Sequence, residues 1–178
     1  MNGNVRRITT IGMLCALAYT AAAVGRVPMV LFLRYDPKDS VIAISGFLFG
    51  PLAACSVAGI VSLIELATLS DTGVLGLLMN ILSSCSFACT AALVYRKRPA
   101  FSGAAAGLLC GWGCMVSVMM VWNYLVAPLY MGVPREEVAK LLLPAFLPFN
   151  LLKGGLNAAI TMLLYRPVQS VLGRSAKH

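Results

Sequence analysis

The sequence has little charge and very little acid: 11% of its 178 residues are charged, and six Asp and Glu stand against fourteen Lys and Arg. It holds one histidine, the terminal His178, and no Cys-x-x-Cys among its six cysteines. Zinc-type sites and Ser-His-Asp hydrolysis are thereby excluded, since each needs imidazole or thiolate at set spacings. No glycine-rich loop ending in Lys-Ser or Lys-Thr is present, so this chain does not hydrolyse ATP on its own. Two inverted halves, the mark of many ion-coupled carriers, are not evident either. Cys15, Cys55, Cys85, Cys89, Cys110 and Cys114 all fall in apolar segments and read as small packing residues rather than metal ligands.

What is present is apolar sequence. With 60% hydrophobic residues and a mean hydropathy of +0.86, the chain reads as an integral membrane protein. One transmembrane domain over 1–178 is expected, all-α, with six transmembrane helices at roughly 8–25, 38–50, 52–69, 74–95, 102–131 and 145–166. The second segment is too short to span alone unless it starts near Pro37 or is tilted, and Gly50-Pro51 reads as a tight turn.

Six spans place both termini on one side. Arg6, Arg7, Arg96, Lys97, Arg98, Arg166, Arg174 and Lys177 fall on that side without an acid among them, which makes it cytoplasmic. The opposite loops carry Arg26, Arg34, Lys38, Arg135 and Lys140 against Asp36, Asp39, Asp71, Glu136 and Glu137, a balanced set. The formal charge of +8 is thus a topology and lipid-headgroup signal that needs no nucleic-acid partner. Arg6-Arg7 followed by an apolar run and Ala21-Ala22-Ala23 imitates a secretory leader, but the run is long enough for a first span and is read as retained. Within it Ala18 and Ala22, four residues apart, allow another helix to approach closely.

The polar residues inside the apolar segments are the candidate site. With Pro148 in the first turn of the last helix, Asn150, Lys153 and Asn157 share one face. A lysine near the bilayer centre costs about 3 kcal/mol, so Lys153 either serves a site or snorkels to the nearer interface. Glu65, the one acid assigned to a span, either pairs with Lys153 or faces the outer interface beside Thr68 and Ser70. Asn80 is a pocket candidate in segment four. Asn123, between Trp122 and Tyr124, could read the edge of a planar heterocycle while rings pack on its faces. The loop Arg34-Tyr35-Asp36-Pro37-Lys38-Asp39-Ser40 reads as a lid or a helix cap, with Asp39 or Ser40 capping segment two and Arg34 and Tyr35 reaching over the mouth. Residues 133–140 have helix-start chemistry and are expected to cover the mouth.

From Arg6 to Pro167 the chain resembles the substrate-binding S component of energy-coupling factor (ECF) transporters, in its riboflavin-specific branch. The resemblance rests on Phe32-Leu33-Arg34-Tyr35-Asp36-Pro37-Lys38-Asp39, Phe49-Gly50-Pro51-Leu52-Ala53, Asn123-Tyr124 with Pro128-Leu129-Tyr130, Pro148-Phe149-Asn150-Leu151-Leu152-Lys153-Gly154, and Leu163-Leu164-Tyr165-Arg166. It implies a six-helix S-component fold with cytoplasmic termini in a prokaryotic plasma membrane, and an outward-facing vitamin site. Riboflavin would be transported ligand rather than cofactor, and the partners would be a membrane coupling subunit and two ATPases. Asn123, Asn150 and Lys153 would contact the flavin, with Leu33, Phe146 and Trp122 as apolar wall and Ala18 and Ala22 as the docking surface. Glu65-Leu66 departs from the branch, which often has lysine then asparagine there, and a different micronutrient is the ligand this departure would favour. Outside the transporter class stand an assembly subunit, which would carry no small molecule, and a membrane enzyme, for which no nucleophile or metal set is present.

Overall fold

Proline, glycine and charge punctuate the chain, and most of its helices begin or end at them. The computed structural model describes residues 3–30, 33–69 and 73–175; Phe32, Ser70, Asp71, Lys177 and His178 lie outside the described residues. Helix α1 (Gly3–Gly25) leads into an antiparallel ribbon of β1 (Val27–Val30) and β2 (Leu33–Tyr35), with Val27 opposite Tyr35 and Pro28 opposite Arg34. There follow α2 (Lys38–Phe49), α3 (Pro51–Thr68), α4 (Gly73–Lys97), α5 (Phe101–Met131), a short α6 (Arg135–Leu141), a π-helical turn (Leu142–Phe146) and α7 (Leu147–Ser175).

A short ribbon joins the first two helices of the otherwise helical bundle. Pro28 cannot continue a helix, Val27 and Val30 favour strand, and Gly25 lies so close to Pro37 that a Cβ there would come within 2.7 Å of its ring. Elsewhere proline shapes the helices. Pro51 occupies the first turn of α3, where its missing N–H costs nothing, after Gly50 turns the chain at φ +91°. Pro144 cannot donate into an α-helical ladder, and the backbone there widens into the π turn that links α6 to α7.

Among the described residues five helical stretches are long and apolar enough to cross a membrane, with α6, the π turn and α7 forming one continuous stretch over Arg135–Val168. Helix α2, at 12 residues, rises only about 18 Å against a hydrocarbon core of about 30 Å.

The helices pack through small residues. Gly103, Gly107 and Gly111 recur every fourth position of α5; a Cβ on Gly107 would lie 2.6 Å from the Ala91 carbonyl oxygen, and one on Gly111 would overlap that of Phe87. Two backbones therefore touch along α4 and α5, the arrangement that small residues permit in membranes. Ala18 and Ala22 serve the same purpose inside the chain. Both are fully buried, and Ala18 packs in the core with Ile42, Val57 and Val61. They are therefore not open to a partner, which corrects their assignment as a docking surface. Gly12, Ala16 and Thr20, four residues apart on α1, are instead exposed, and Gly12 has open space beside it.

Gly111→Val is expected to lower stability by about 3 kcal/mol, because a backbone carbonyl cannot yield as a side chain can. Gly113→Ala, two residues along but facing open space, should leave it nearly unchanged. Thermal unfolding in detergent, followed by tryptophan fluorescence, compares them.

Candidate functional site

One end of the bundle buries three acids and two bases, with the partly buried Arg26 beside them, drawn from the segment after α1, the segment before α2, and helices α2, α3 and α7. Lys38, wholly buried at the start of α2, has its Nζ 2.5 Å from Glu65 Oε2 on α3 and 3.8 Å from Asp36 Oδ2. Arg26 approaches the same Glu65 oxygen at 3.6 Å and donates to the Leu69 carbonyl at 2.8 Å, joining the end of α1 to the end of α3. Asn80 of α4 donates to Glu65 Oε2 at 3.1 Å. Lys153 of α7 pairs with Asp39 Oδ2 at 3.3 Å, and Ser84 of α4 donates to Asp39 Oδ1 at 2.5 Å.

These contacts revise several sequence expectations. Glu65 is buried inside the bundle rather than at an interface, and its ion-pair partners are Lys38 and Arg26. The carboxylate paired with Lys153 is Asp39, so the lysine does not snorkel; its ammonium is held where the start of α2 meets α7. Neither Asp39 nor Ser40 caps α2. Pro37 occupies the N-cap with no side-chain bond, while Asp39 turns inward to the ammonium and Ser40 donates to Asn157 Oδ1 at 2.8 Å. A buried cation needs a counter-charge more than a helix N-terminus needs a side-chain cap.

Asp36 lies before α2 on the same cluster. Burial would push its carboxyl up, but Lys38, Lys153 and Arg26, with the Lys38 backbone N–H, outweigh that and hold it below its ordinary 3.8. The Tyr35 phenol next to it is raised by burial, with Asp36 and Asp39 adding to the effect. Four atoms of this region are buried without a hydrogen-bond partner: the Tyr35 hydroxyl, Asp36 Oδ1, Glu65 Oε1 and Arg26 Nε. Such groups are costly to leave unmet and are the ones a ligand or water would satisfy.

The stripe on α7 is present: Asn150, Lys153 and Asn157 are all buried. Their roles differ. Asn157 is a brace, donating to the Asp36 carbonyl at 3.3 Å and the Lys153 carbonyl at 3.1 Å while accepting from Ser40. Asn150 and Asn123 each donate back to the carbonyl four residues earlier, Phe146 and Met119, both at 2.8 Å. One helical turn from each amide, toward the α5–α6 connection, lies an apolar cluster of Leu33, Ala127, Val138, Phe146 and Phe149. The ribbon, α6 and the π turn thus contribute Leu33, Val138 and Phe146 to the apolar cluster next to these amides, with the Lys153–Asp39 pair about one turn beyond Asn150 on α7.

Trp122 departs from the expected wall. It packs against the other core cluster, with Nε1 buried and unpartnered, and lines an apolar groove of about 430 Å³ with Leu82, Val118 and Leu125. Leu33 and Phe146 do meet. Sequence reasoning left Arg26, Asp36, Lys38 and Asp39 in the outer loops, yet the last three are almost wholly buried. The signal was the balance of charge in those loops, together with apolar sequence starting immediately after Ser40.

Comparison with known proteins adds to this geometry. Residues 6–165 match the family described as ECF transporter, substrate-specific component. The riboflavin transporter RibU of Staphylococcus aureus is 29% identical over 179 residues, covering 95% of this chain and 93% of its own. The riboflavin transporter FmnP of Bacillus subtilis is 24% identical over 174 residues, covering 90% of each chain. A solved structure described as the S component of a bacterial ECF transporter matches with a TM-score of 0.80 at 27% identity, covering 95% of this chain and 98% of that one.

Lys38→Met should cost about 3–5 kcal/mol by leaving Glu65 without its nearest counter-charge, and Lys38→Met with Glu65→Met should recover most of it. Chemical denaturation in detergent measures both. Because the folded state holds the Asp36 carboxyl below 3.8, its contribution is present above that pH and is lost as pH falls through the lower folded value. The unfolding midpoint should therefore drop below about pH 3.8, and Asp36→Asn should flatten part of that drop.

Proposed function

Because the chain belongs to the family of ECF transporter substrate-specific components, we propose that it captures riboflavin or a related flavin outside the cell and delivers it inward with ATP-driven partner subunits. The observation that carries the reading is the pair of buried amides, Asn123 and Asn150, next to the apolar Leu33–Phe146 cluster, with the Lys153–Asp39 pair about one turn beyond Asn150. The pyrimidine edge of an isoalloxazine alternates carbonyl acceptors with an imide donor, and amides can meet both. An apolar cluster beside few polar groups is the usual composition of a small-molecule site. The riboflavin transporters named above, alignable over nine-tenths or more of this chain, support the same ligand.

Glu65 does not argue for a cationic ligand on this reading. Its charge is met by Lys38 and Arg26, so the departure at Glu65-Leu66 alters the support of the site rather than the charge offered to the ligand. Riboflavin is bound and moved, with no chemistry performed on it, and ATP hydrolysis belongs to the partners. In this arrangement α2 completes six helices in the cell membrane, with both termini cytoplasmic on the basic side. The coupling subunit docks on the exposed small face of α1, Gly12, Ala16 and Thr20, where a facing helix can approach closely.

Flavin-fluorescence quenching on purified protein tests the ligand, with an absorbance spectrum from 300 to 550 nm to detect any flavin that co-purifies. Asn123→Leu and Asn150→Leu should each weaken flavin binding about ten-fold or more, equivalent to ~1.4 kcal/mol. Wild-type protein that quenches no flavin would reject the flavin reading and call for a screen of other micronutrients. Gly12→Leu with Ala16→Leu should abolish co-purification with the coupling subunit while leaving flavin affinity unchanged; normal assembly would move the docking surface elsewhere.

A further inference from the structure

At the end of the bundle opposite the buried charges, a cleft of about 520 Å³ opens beside the α2–α3 turn. Arg7 and Arg96 line it from α1 and α4, and Phe47, Leu48, Pro51 and Leu52 form its apolar side. Arg7 already donates to the Phe49 carbonyl at 3.4 Å, and its guanidinium lies 6.0 Å from the Phe49 ring centroid, which fixes the head group at the cleft. A guanidinium has five N–H donors, so this one bond leaves most of them available.

We propose that this cleft binds an anionic glycerophospholipid, with the phosphate between Arg7 and Arg96 and an acyl chain running outward over Leu48 and Leu52. The two halves of the cleft require those two chemistries together. A free phosphate would satisfy the arginines and leave the apolar side wet, whereas a neutral oil would leave the arginines unmet. Leu52 is 81% exposed, on a helix apolar enough to lie in lipid, so a chain leaving the cleft continues into the bilayer. A second groove at the same end, about 260 Å³ at the α4–α5 turn, is lined by Lys97 and Arg98. Among the described residues no acid lines either one.

The test is native mass spectrometry of delipidated protein reloaded with phosphatidylglycerol or phosphatidylcholine of identical chains. Phosphatidylglycerol adducts should exceed phosphatidylcholine adducts by about five-fold or more, as expected for even one arginine at a headgroup. Arg7→Gln with Arg96→Gln should bring the two lipids level, while Arg7→Lys with Arg96→Lys, which keeps the charge, should retain a preference. The lysine variant also guards against misfolding of the glutamine one, and thermal unfolding checks both. Equal adducts of the two lipids on wild-type protein would overturn the proposal, as would an undiminished preference in a folded glutamine variant. Displacement of the lipid by excess inorganic phosphate at constant ionic strength would assign the cleft to a free anion instead. Loss of lipid on adding the coupling subunit, with acidic residues of that subunit cross-linking to Arg7, would reassign it to a protein partner.

Discussion

Removing an ionised side chain from water costs several kcal/mol, and this chain does so five times at one end of the bundle, with Arg26 partly buried beside them. The cost is tolerable because the signs balance and the groups share partners. Arg26 and Lys38 meet on Glu65, Lys38 also reaches Asp36, and Lys153 holds Asp39. Each ion is thus the reason another can be buried. The start of α2 and the stripe on α7, with its amide Asn150, have their places fixed by this arrangement, whereas Asn123 is placed by α5, outside it. The residues that the ribbon, α6 and the π turn contribute to the neighbouring cluster, Leu33, Val138 and Phe146, are apolar.

The remainder of the bundle is held by contact without charge. The glycines of α5 let its backbone reach the α4 carbonyls, and Gly154 brings α7 against Trp112 closely enough that a Cβ would overlap the ring. Within lipid the apolar exterior gives helices no reason to prefer one another, so close packing of small residues has to supply specificity. The molecule therefore combines an apolar body packed through small residues with one end that buries ion pairs.

Much of this was legible in the residues. The apolar segments, the turn at Gly50-Pro51 and the buried face of Asn150, Lys153 and Asn157 follow from hydropathy, turn chemistry and helical periodicity, which are local properties. Which carboxylate meets Lys153 is a property of the fold, and it could not be read from a chain that offers Asp36, Asp39 and Glu65 alike. The loop residues misled because charge beside proline usually means solvent, and here four helices close around it. The alanines of α1 misled for a related reason: a small-xxx-small pattern states that a helix is approached, not by whom. The glycine stripe of α5 carried the same kind of signal more strongly, and the close contact it makes is internal.

The bonds from Ser40 to Asn157 and from Asn157 to the Asp36 carbonyl span 117 and 121 residues of sequence. Synthesis runs from the N-terminus, so Asp36, Lys38 and Asp39 leave the ribosome long before the helix that carries Lys153 and Asn157 exists. During that interval the start of α2 has a charge it cannot match and a hydroxyl without its acceptor. It cannot settle until the last helix is inserted beside it. A chain cut short before α7 would lack both the ammonium that faces Asp39 and the amide that receives the Ser40 hydroxyl.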